Sequence, residues 1–230
     1  MLQLLGFFLA TFALLWILRQ IPGLGALFGI PLVGFFLASI LVSALFAWLG
    51  SQAVDRRRFR RAAAQLGAVD TPHNQGKLGS LLLADGHARR AAEHLARAVA
   101  GEPESLEWRY RHGLALLRSG RPAEAARELD QVAARDEDYA YGDLLLRLAE
   151  ARLESGDPAR SLEALERHAR SQGDTPEALY RRALALRALR RGNEARAALA
   201  RVGEVAGKRA RYQKRGDTRW VLLAWLRRVC

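Results

Sequence analysis

Cysteine is almost absent from this sequence of 230 residues, because Cys230 is the only one. A single cysteine excludes an intrachain disulfide and a metal site built from several thiolates of this chain. The composition therefore fits a reducing compartment.

Acidic residues are absent from positions 1–54, and Arg19 is the only cation in that segment. All 24 Asp and Glu residues and 35 of the 36 Lys and Arg residues follow it, so the rest of the chain has a net charge of +11. A basic balance of this size favours contact with acidic protein surfaces, anionic lipid or nucleic acid, but it does not select among them.

The motifs of common enzyme and metal-site classes are absent as well. No HExxH or GxSxG occurs, and the five histidines lack the spacing of a zinc site. The glycines near Lys77 do not form a phosphate-binding loop, since Thr71 replaces the first glycine and Leu78 replaces the Ser or Thr. No pair of carboxylates stands isolated in an apolar segment, as acid–base catalysis requires. We therefore expect no catalytic residue, no metal site and no cofactor.

The acid-free segment contains two long runs without a charge. Leu2 to Leu18 is 17 residues long and Leu24 to Leu49 is 26, and a membrane-spanning helix needs about 17 to 25 residues. Pro22 and Gly23 lie in the turn between the runs. These features predict a transmembrane helical hairpin over residues 1–54. An alternative is one span plus a buried or re-entrant piece, because the glycines of the second run could interrupt it.

The charges beside the second run predict its orientation. Five arginines follow it directly, against the single Arg19 between the runs, and positive residues favour the cytoplasmic side. We therefore expect an integral inner-membrane protein whose termini and remaining domain are cytoplasmic. The five arginines, expected to meet the membrane surface from a basic juxtamembrane helix at 55–71, are Arg56, Arg57, Arg58, Arg60 and Arg61.

A period of 34 residues runs through the basic part of the chain. Gly120 and Gly156 are 36 residues apart, which predicts a two-residue insertion near Asp138. Apolar residues return every three or four positions with a break inside each unit, so each of the four units is predicted to be a pair of amphipathic helices that stacks on its neighbours. The pairs of residues separated by 34 positions are Gly79 and Gly113, Gly86 and Gly120, Ala91 and Ala125, Leu95 and Leu129, Leu145 and Leu179, Ala149 and Ala183, and Leu165 and Leu199.

This arrangement resembles a tetratricopeptide repeat array of bacterial type over residues 72–209. The first unit resembles it most, with Gly79 and Pro103 at the family's spacing, whereas Ser161 replaces the usual alanine and Gly192 stands two residues late in the fourth unit. The resemblance implies an all-α solenoid of four helix pairs. It is specific for architecture and nearly silent on chemistry.

The N-terminal hairpin is weakly similar to the two-span segment that precedes phospholipase D type nuclease domains. The similarity rests on Ile21, Pro22, Gly23, Leu24 and Gly25. The HxKxxxxD motif of those enzymes is absent. The similarity therefore implies a shared anchor and no shared activity.

The first helix of each unit lines a concave groove in tetratricopeptide arrays, so the resemblance implies a groove here that mixes Tyr, Arg and Leu. Such residues often dominate binding energy, and arginine forks onto carboxylates, so we expect a protein segment with acidic and apolar residues as the partner. Alternatively, the arginines only cover leucines or pair with Glu150 and Glu154. The projected groove residues are Tyr110, Arg111, Leu114, Arg118, Arg147, Glu150, Tyr180, Arg181 and Arg187.

Residues 210–230 form a basic and aromatic tail, predicted to be a helix that caps the last unit. Alternatively, Trp220 and Trp225 enter lipid headgroups beside the tail's arginines. The expected function is a membrane-anchored, non-enzymatic adaptor that recruits a protein partner. The alternative function is contact with anionic lipid or nucleic acid through the tail, and of these nucleic acid is disfavoured.

Overall fold

A computed structural model describes residues 32–209 and 211–229 of the chain, together with a few positions between 6 and 20. The chain divides into two compact units, Met1–Gln65 and Leu66–Cys230. No strand occurs among the described residues, so the all-α prediction is confirmed.

The first unit contains most of helix α1, Leu32–Gly67. Several of its large apolar side chains are exposed, among them Leu41 and Trp48. The last 17 residues of α1 include Asp55 and five arginines. Because ionised side chains are unfavourable in lipid, this part of the helix is unsuited to a membrane interior.

None of the helices in the described part of the chain combines the length and the apolar character that crossing a membrane requires. This finding overturns the predicted location, an integral inner-membrane protein with cytoplasmic termini and repeats. The transmembrane hairpin over 1–54 and its similarity to the nuclease-associated segment are also unsupported. Most of the first predicted span, Leu2–Leu18, and residues 24–31 of the second lie outside the described residues.

Among the described residues of the second unit, eight helices form four consecutive pairs. Within each pair the two helices pack on each other, and each pair packs on the next, so the predicted solenoid of helix pairs is confirmed. The eight helices are α2 Pro72–Ala84, α3 Ala88–Gly101, α4 Leu106–Arg118, α5 Pro122–Ala133, α6 Asp143–Glu154, α7 Pro158–Gln172, α8 Pro176–Ala188 and α9 Gly192–Lys208.

Local chemistry explains where the first helices of the pairs begin. Thr71 Oγ1 accepts a hydrogen bond from the Asn74 amide at 3.2 Å, and Thr175 Oγ1 accepts one from the Ala178 amide at 3.2 Å. Each threonine precedes a proline at the first helical position. Proline lacks a backbone N–H, but an N–H at this position would have no partner within the helix. The sequence thus marks these two helix starts directly.

The turn inside each pair requires a left-handed residue. Gly86, Gly120 and Gly156 take φ of +84°, +81° and +86° there. In the fourth pair the same position is Arg190, with φ of +60°. The fourth unit therefore keeps the 34-residue spacing from Gly156, and the late glycine, Gly192, simply begins α9.

Small residues bring the helices of a pair close together. A Cβ on Gly79 would lie 2.6 Å from Leu95 Cγ, and one on Gly113 would lie 2.7 Å from Leu129 Cδ2. Both leucines are fully buried. In the third pair, the buried Ser161 at the usual alanine position donates to the Ala149 carbonyl at 2.7 Å, which satisfies its hydroxyl.

Helix α10, Arg211–Val229, packs on α8 and α9. Ala224 is buried in the apolar cluster of the fourth pair, and Trp220 and Val221 pack against this cluster. The rings of Trp220 and Tyr180 have centroids 5.5 Å apart. Helix α10 therefore packs on the last pair of the array, and its role as a cap stays a prediction.

The connection between the second and third pairs contains a short 3₁₀ turn, Tyr139–Gly142. Ala140, Tyr141 and Gly142 are left-handed in succession, with φ of +56°, +55° and +82°. The turn follows Asp138, where the sequence predicts two inserted residues. We call Tyr139–Gly142 the insertion turn.

Candidate functional site

The first helices of successive pairs, α2, α4, α6 and α8, approach each other along one side of the array. Two clefts lie on this side. The N-terminal cleft has a volume of about 650 Å³ and is lined by α2, α4 and the insertion turn. The C-terminal cleft, of about 370 Å³, is lined by α6, α7, α8, α10 and the insertion turn.

The N-terminal cleft combines an aromatic wall with basic side chains. The rings of Tyr110 and Tyr139 meet edge to face, with centroids 5.2 Å apart. Arg111 pairs with Glu107 at 2.9 Å, and its side chain is 41% exposed. Arg118 is exposed and donates a long hydrogen bond of 3.4 Å to the Leu83 carbonyl. This cleft therefore presents an apolar floor with cationic groups at its edge.

A smaller cavity of about 200 Å³ continues from this cleft between α4 and α6. Leu114 and Arg118 line both, and Arg147, Glu150 and Glu154 complete the smaller one. The site is thus elongated along the array and follows the order of the helices.

An ion-pair network joins α6 to α8. Arg147 donates to Asp143 at 3.1 Å, to Glu150 at 2.8 Å and to Glu177 at 2.8 Å. Arg181 reaches Glu150 at 3.0 Å and Glu177 at 2.9 Å. Both arginine side chains are mostly buried, so the carboxylates of the protein itself satisfy these guanidinium groups.

The electrostatics of the network follow from this pairing. Burial lowers the pKa of the Arg147 guanidinium, but Asp143 and Glu177 outweigh burial and raise that pKa above its ordinary value. Burial raises the pKa of Asp143, but the charge of Arg147 and the hydrogen bond from Tyr110 bring that pKa below its ordinary value. Arg147 and Asp143 therefore remain ionised at neutral pH.

The structure brings together some of the projected groove residues and separates others. Tyr110, Arg111, Leu114 and Arg118 all line the N-terminal cleft. Tyr180 is buried against Trp220. Arg187 lies apart and donates to the Arg227 carbonyl at 3.2 Å. The projected residues that line the N-terminal cleft therefore all lie on α4.

The alternative interpretation of the groove arginines applies to two of them. Arg147 and Arg181 pair with Glu150, as that alternative predicts. Asp143 and Glu177 were not among the predicted groove residues, although they stand 34 residues apart and each precedes one of these arginines by four positions. The repeat period was the signal that could have found both carboxylates.

The residues expected at a membrane surface lie in two places. The five arginines are exposed on α1. The Trp220 ring lies under the guanidinium groups of Arg219 at 4.4 Å and Arg181 at 5.4 Å, whereas Trp225 is 58% exposed. Their contact with a membrane surface stays a prediction, and only Trp225 presents a largely free ring. The five arginines are Arg56, Arg57, Arg58, Arg60 and Arg61.

No cluster of three or more potential metal-ligating side chains occurs in the described ranges of the chain. The clefts offer aromatic rings, aliphatic side chains, guanidinium groups and carboxylates. Such a lining suits contact with another macromolecule.

Comparison with known proteins identifies the repeats. Three tetratricopeptide repeat models match, at residues 77–140, 116–184 and 177–205. A comparison with curated protein sequences gives no match.

Solved structures share the fold. A structure described as "Crystal structure of MamA protein" is 20% identical, with a TM-score of 0.62, over 74% of this chain and 94% of that chain. Another, "MamA MSR-1 C2", is 17% identical, with a TM-score of 0.61, over 73% of this chain and 98% of that chain. Identities this low show a common fold alone.

Proposed function

We propose that this protein, whose residues 77–205 are tetratricopeptide repeats, is a scaffold that binds a segment of another protein along the side formed by α2, α4, α6 and α8. Binding occurs without turnover. The observation that carries the proposal is the open N-terminal cleft, where Tyr110, Leu114 and two arginines line one volume of about 650 Å³. Tyrosine and arginine often supply most of the energy of a protein interface.

The shape of the site favours a chain segment over a compact small molecule. The N-terminal cleft runs into the cavity beside Arg147 through Leu114 and Arg118, so a ligand that fills both must be extended. Small-molecule sites are typically enclosed and mostly apolar. Here the site is open along several helices of a stacked array, as repeat proteins use for extended partners.

The charges of the N-terminal cleft favour acidic and apolar residues in the part of the partner that it binds, whereas Glu150 and Glu154 line the smaller cavity. Arg111 and Arg118 face the N-terminal cleft together with the single carboxylate of Glu107. The net charge of +12 for the whole chain also accelerates the approach of an acidic partner, and salt weakens that effect.

The test is affinity capture with the full-length chain and two matched double variants. Arg111→Glu with Arg118→Glu reverses the charge of the cleft. Arg89→Glu with Arg127→Glu makes the same change in net charge at exposed positions on α3 and α5. We expect a specific protein to be recovered by the wild type and the control, and its recovery to fall at least about tenfold with the cleft variant.

Equal recovery by the cleft variant, or recovery of no specific protein by the wild type, would contradict the scaffold proposal. Arg147 is unsuitable as a probe of binding because it holds three carboxylates of α6 and α8. A substitution there would weaken the array itself and so remove partner binding indirectly.

A second candidate function is contact of α10 with an anionic lipid or nucleic-acid surface. The observation in its favour is that Leu222, Trp225 and Leu226 are exposed next to the exposed Arg227 and Arg228. Binding of the full chain to heparin or to phosphatidylserine vesicles would then fall steeply with salt and disappear on deletion of 208–230. Unchanged binding after the deletion would contradict this candidate.

A further inference from the structure

The insertion turn has an unfavourable backbone conformation. Ala140 and Tyr141 are both left-handed, and Tyr141 is 95% exposed, so its ring does not compensate through burial. A left-handed conformation costs about 1 to 2 kcal/mol for a residue that bears a Cβ. Backbone strain of this kind clusters at binding and switch regions, so the turn points to a function.

The insertion turn also makes one connection of the array longer than the others. The connection between α3 and α4 is residues 102–105, and that between α7 and α8 is residues 173–175. Between α5 and α6 the connection is residues 134–142. The extra residues place Tyr139 and Ala140 at the N-terminal cleft. No residue of the two shorter connections lines this cleft.

The inserted residues build one wall of the N-terminal cleft. Tyr139 meets Tyr110 edge to face, and together the two rings form an aromatic corner. Leu83 and Leu114, from α2 and α4, lie on the same cleft. This lining suits a large apolar side chain, which gains binding energy mainly from the apolar surface that it buries.

Arg118, at the edge of this cleft, differs in its pairing from Arg111, Arg147 and Arg181. Arg187 also donates to a backbone carbonyl, but it does not line this cleft. Arg111 pairs with Glu107, and Arg147 and Arg181 pair with the carboxylates of the network. Arg118 has no carboxylate partner within ion-pair distance among the described residues, and its described contact is the 3.4 Å hydrogen bond to a carbonyl. An incoming carboxylate would therefore displace no existing ion pair.

We infer that the insertion turn makes the N-terminal cleft a specificity pocket for two adjacent side chains of the partner. One of these side chains is large and apolar, and the other is acidic. The apolar side chain lies between the Tyr110 and Tyr139 corner and Leu114. The carboxylate of the neighbouring Asp or Glu binds the Arg118 guanidinium. This inference rests on the proposed function and specifies the part of the partner that is recognised.

Selection from a random peptide library on the immobilised full-length chain tests the inference. The wild type should enrich peptides that carry Phe, Leu, Ile or Met next to Asp or Glu. Arg118→Glu should lose the acidic preference and bind the enriched peptides at least about tenfold more weakly. Tyr139→Ala should lose the preference for the large apolar residue. Arg89→Glu, on the exposed side of α3, should select the same peptides as the wild type.

Circular dichroism of each variant separates loss of recognition from loss of folding. Arg118 is exposed, so its variant should keep the wild-type spectrum. If Arg118→Glu and Tyr139→Ala enrich the same peptides as the wild type, the pocket inference is wrong while the scaffold proposal stands. If the wild type enriches no peptide at all, both proposals fail.

Discussion

Tyr110 donates its hydroxyl hydrogen to the carboxylate of Asp143, and this bond joins α4 of the second pair to α6 of the third. Arg147 holds the same carboxylate at 3.1 Å. Burial and the Asp143 hydrogen bond raise the pKa of Tyr110, so the phenol remains a protonated donor over the working range of pH. Tyr110 therefore supports the packing of two repeats and also lines the cleft.

Replacing Tyr110 with Phe should lower the free energy of unfolding by about 1 to 2 kcal/mol, because Asp143 loses a hydrogen bond in a partly buried place. Urea unfolding of the full chain measures the change. Tyr139→Phe is the matched control, since no hydrogen bond of the Tyr139 hydroxyl is described, and it should change stability by less than about 0.5 kcal/mol. A similar loss in both variants would show that the Asp143 bond is not the cause.

His168 should make the stability depend on pH below neutrality. It is 2% exposed, and its Nδ1 has no hydrogen-bond partner among the described residues. Burial lowers the pKa of His168 and outweighs the opposing effects of Glu177, Asp143 and Asp174. Since the unfolded pKa is about 6.5, the unfolded state binds more protons as pH falls through that value. Wild-type stability should therefore decrease below about pH 6.5.

The measurement for His168 is urea unfolding of the wild type and His168→Gln between about pH 7.5 and 5.5. His94, whose pKa is also lowered by burial, titrates in both proteins, so the difference between them isolates His168. The variant should lose less stability over this range than the wild type. Parallel curves would refute the assignment.

Arg190→Gly should stabilise the protein. Arg190 has φ of +60° in the turn where the other three pairs have glycine. Removing the left-handed strain should raise the free energy of unfolding by about 1 to 2 kcal/mol. The greater freedom of glycine in the unfolded chain should offset about 0.4 to 1 kcal/mol of this gain. We expect a net gain of about 0.5 to 1 kcal/mol in denaturant unfolding. Gly156→Ala, at the equivalent left-handed turn, should move stability in the opposite direction, and a loss on Arg190→Gly would show that the arginine has another role.

The two tryptophans of α10 should differ in their contribution to stability. Trp220 packs on Tyr180 and the apolar cluster of the fourth pair, so Trp220→Ala should lower the unfolding free energy by about 2 to 3 kcal/mol. Trp225 is 58% exposed, so Trp225→Ala should change the unfolding free energy by less than about 0.5 kcal/mol. Hydrogen exchange should show faster opening of α8 and α9 in the first variant alone. Equal effects of the two substitutions would contradict the capping role of α10.

Much of the fold follows from local patterns in the sequence. The 34-residue recurrence of Gly79 as Gly113 and of Leu95 as Leu129 predicts the helix pairs, and in the structure these glycines meet these leucines. Helical periodicity is readable because residues three or four apart share a face. Hydropathy was less reliable, since long uncharged runs predicted membrane spans that the described helices do not support.

The candidate site was predicted in part. The family's groove helices predicted Tyr110, Arg111, Leu114 and Arg118 as groove residues, and in the structure these four residues line one cleft. The sequence also indicated where two residues are inserted, but not that they turn back to set Tyr139 against Tyr110. Backbone conformations such as those of Ala140 and Tyr141 are disfavoured locally, so only the surrounding packing can impose them.

Composition and periodicity alone therefore establish a basic, all-α array of four repeats. The tertiary structure decided which arginines already pair with carboxylates of the chain itself. Arg118, Arg147 and Arg181 all lie on first helices. Arg147 and Arg181 pair with Glu150 and Glu177, whereas Arg118 has no ion pair within the part of the chain that the structure describes. Charge pairing depends on distances of 3 to 4 Å between side chains of different repeats, and residue order along the chain does not encode such distances directly.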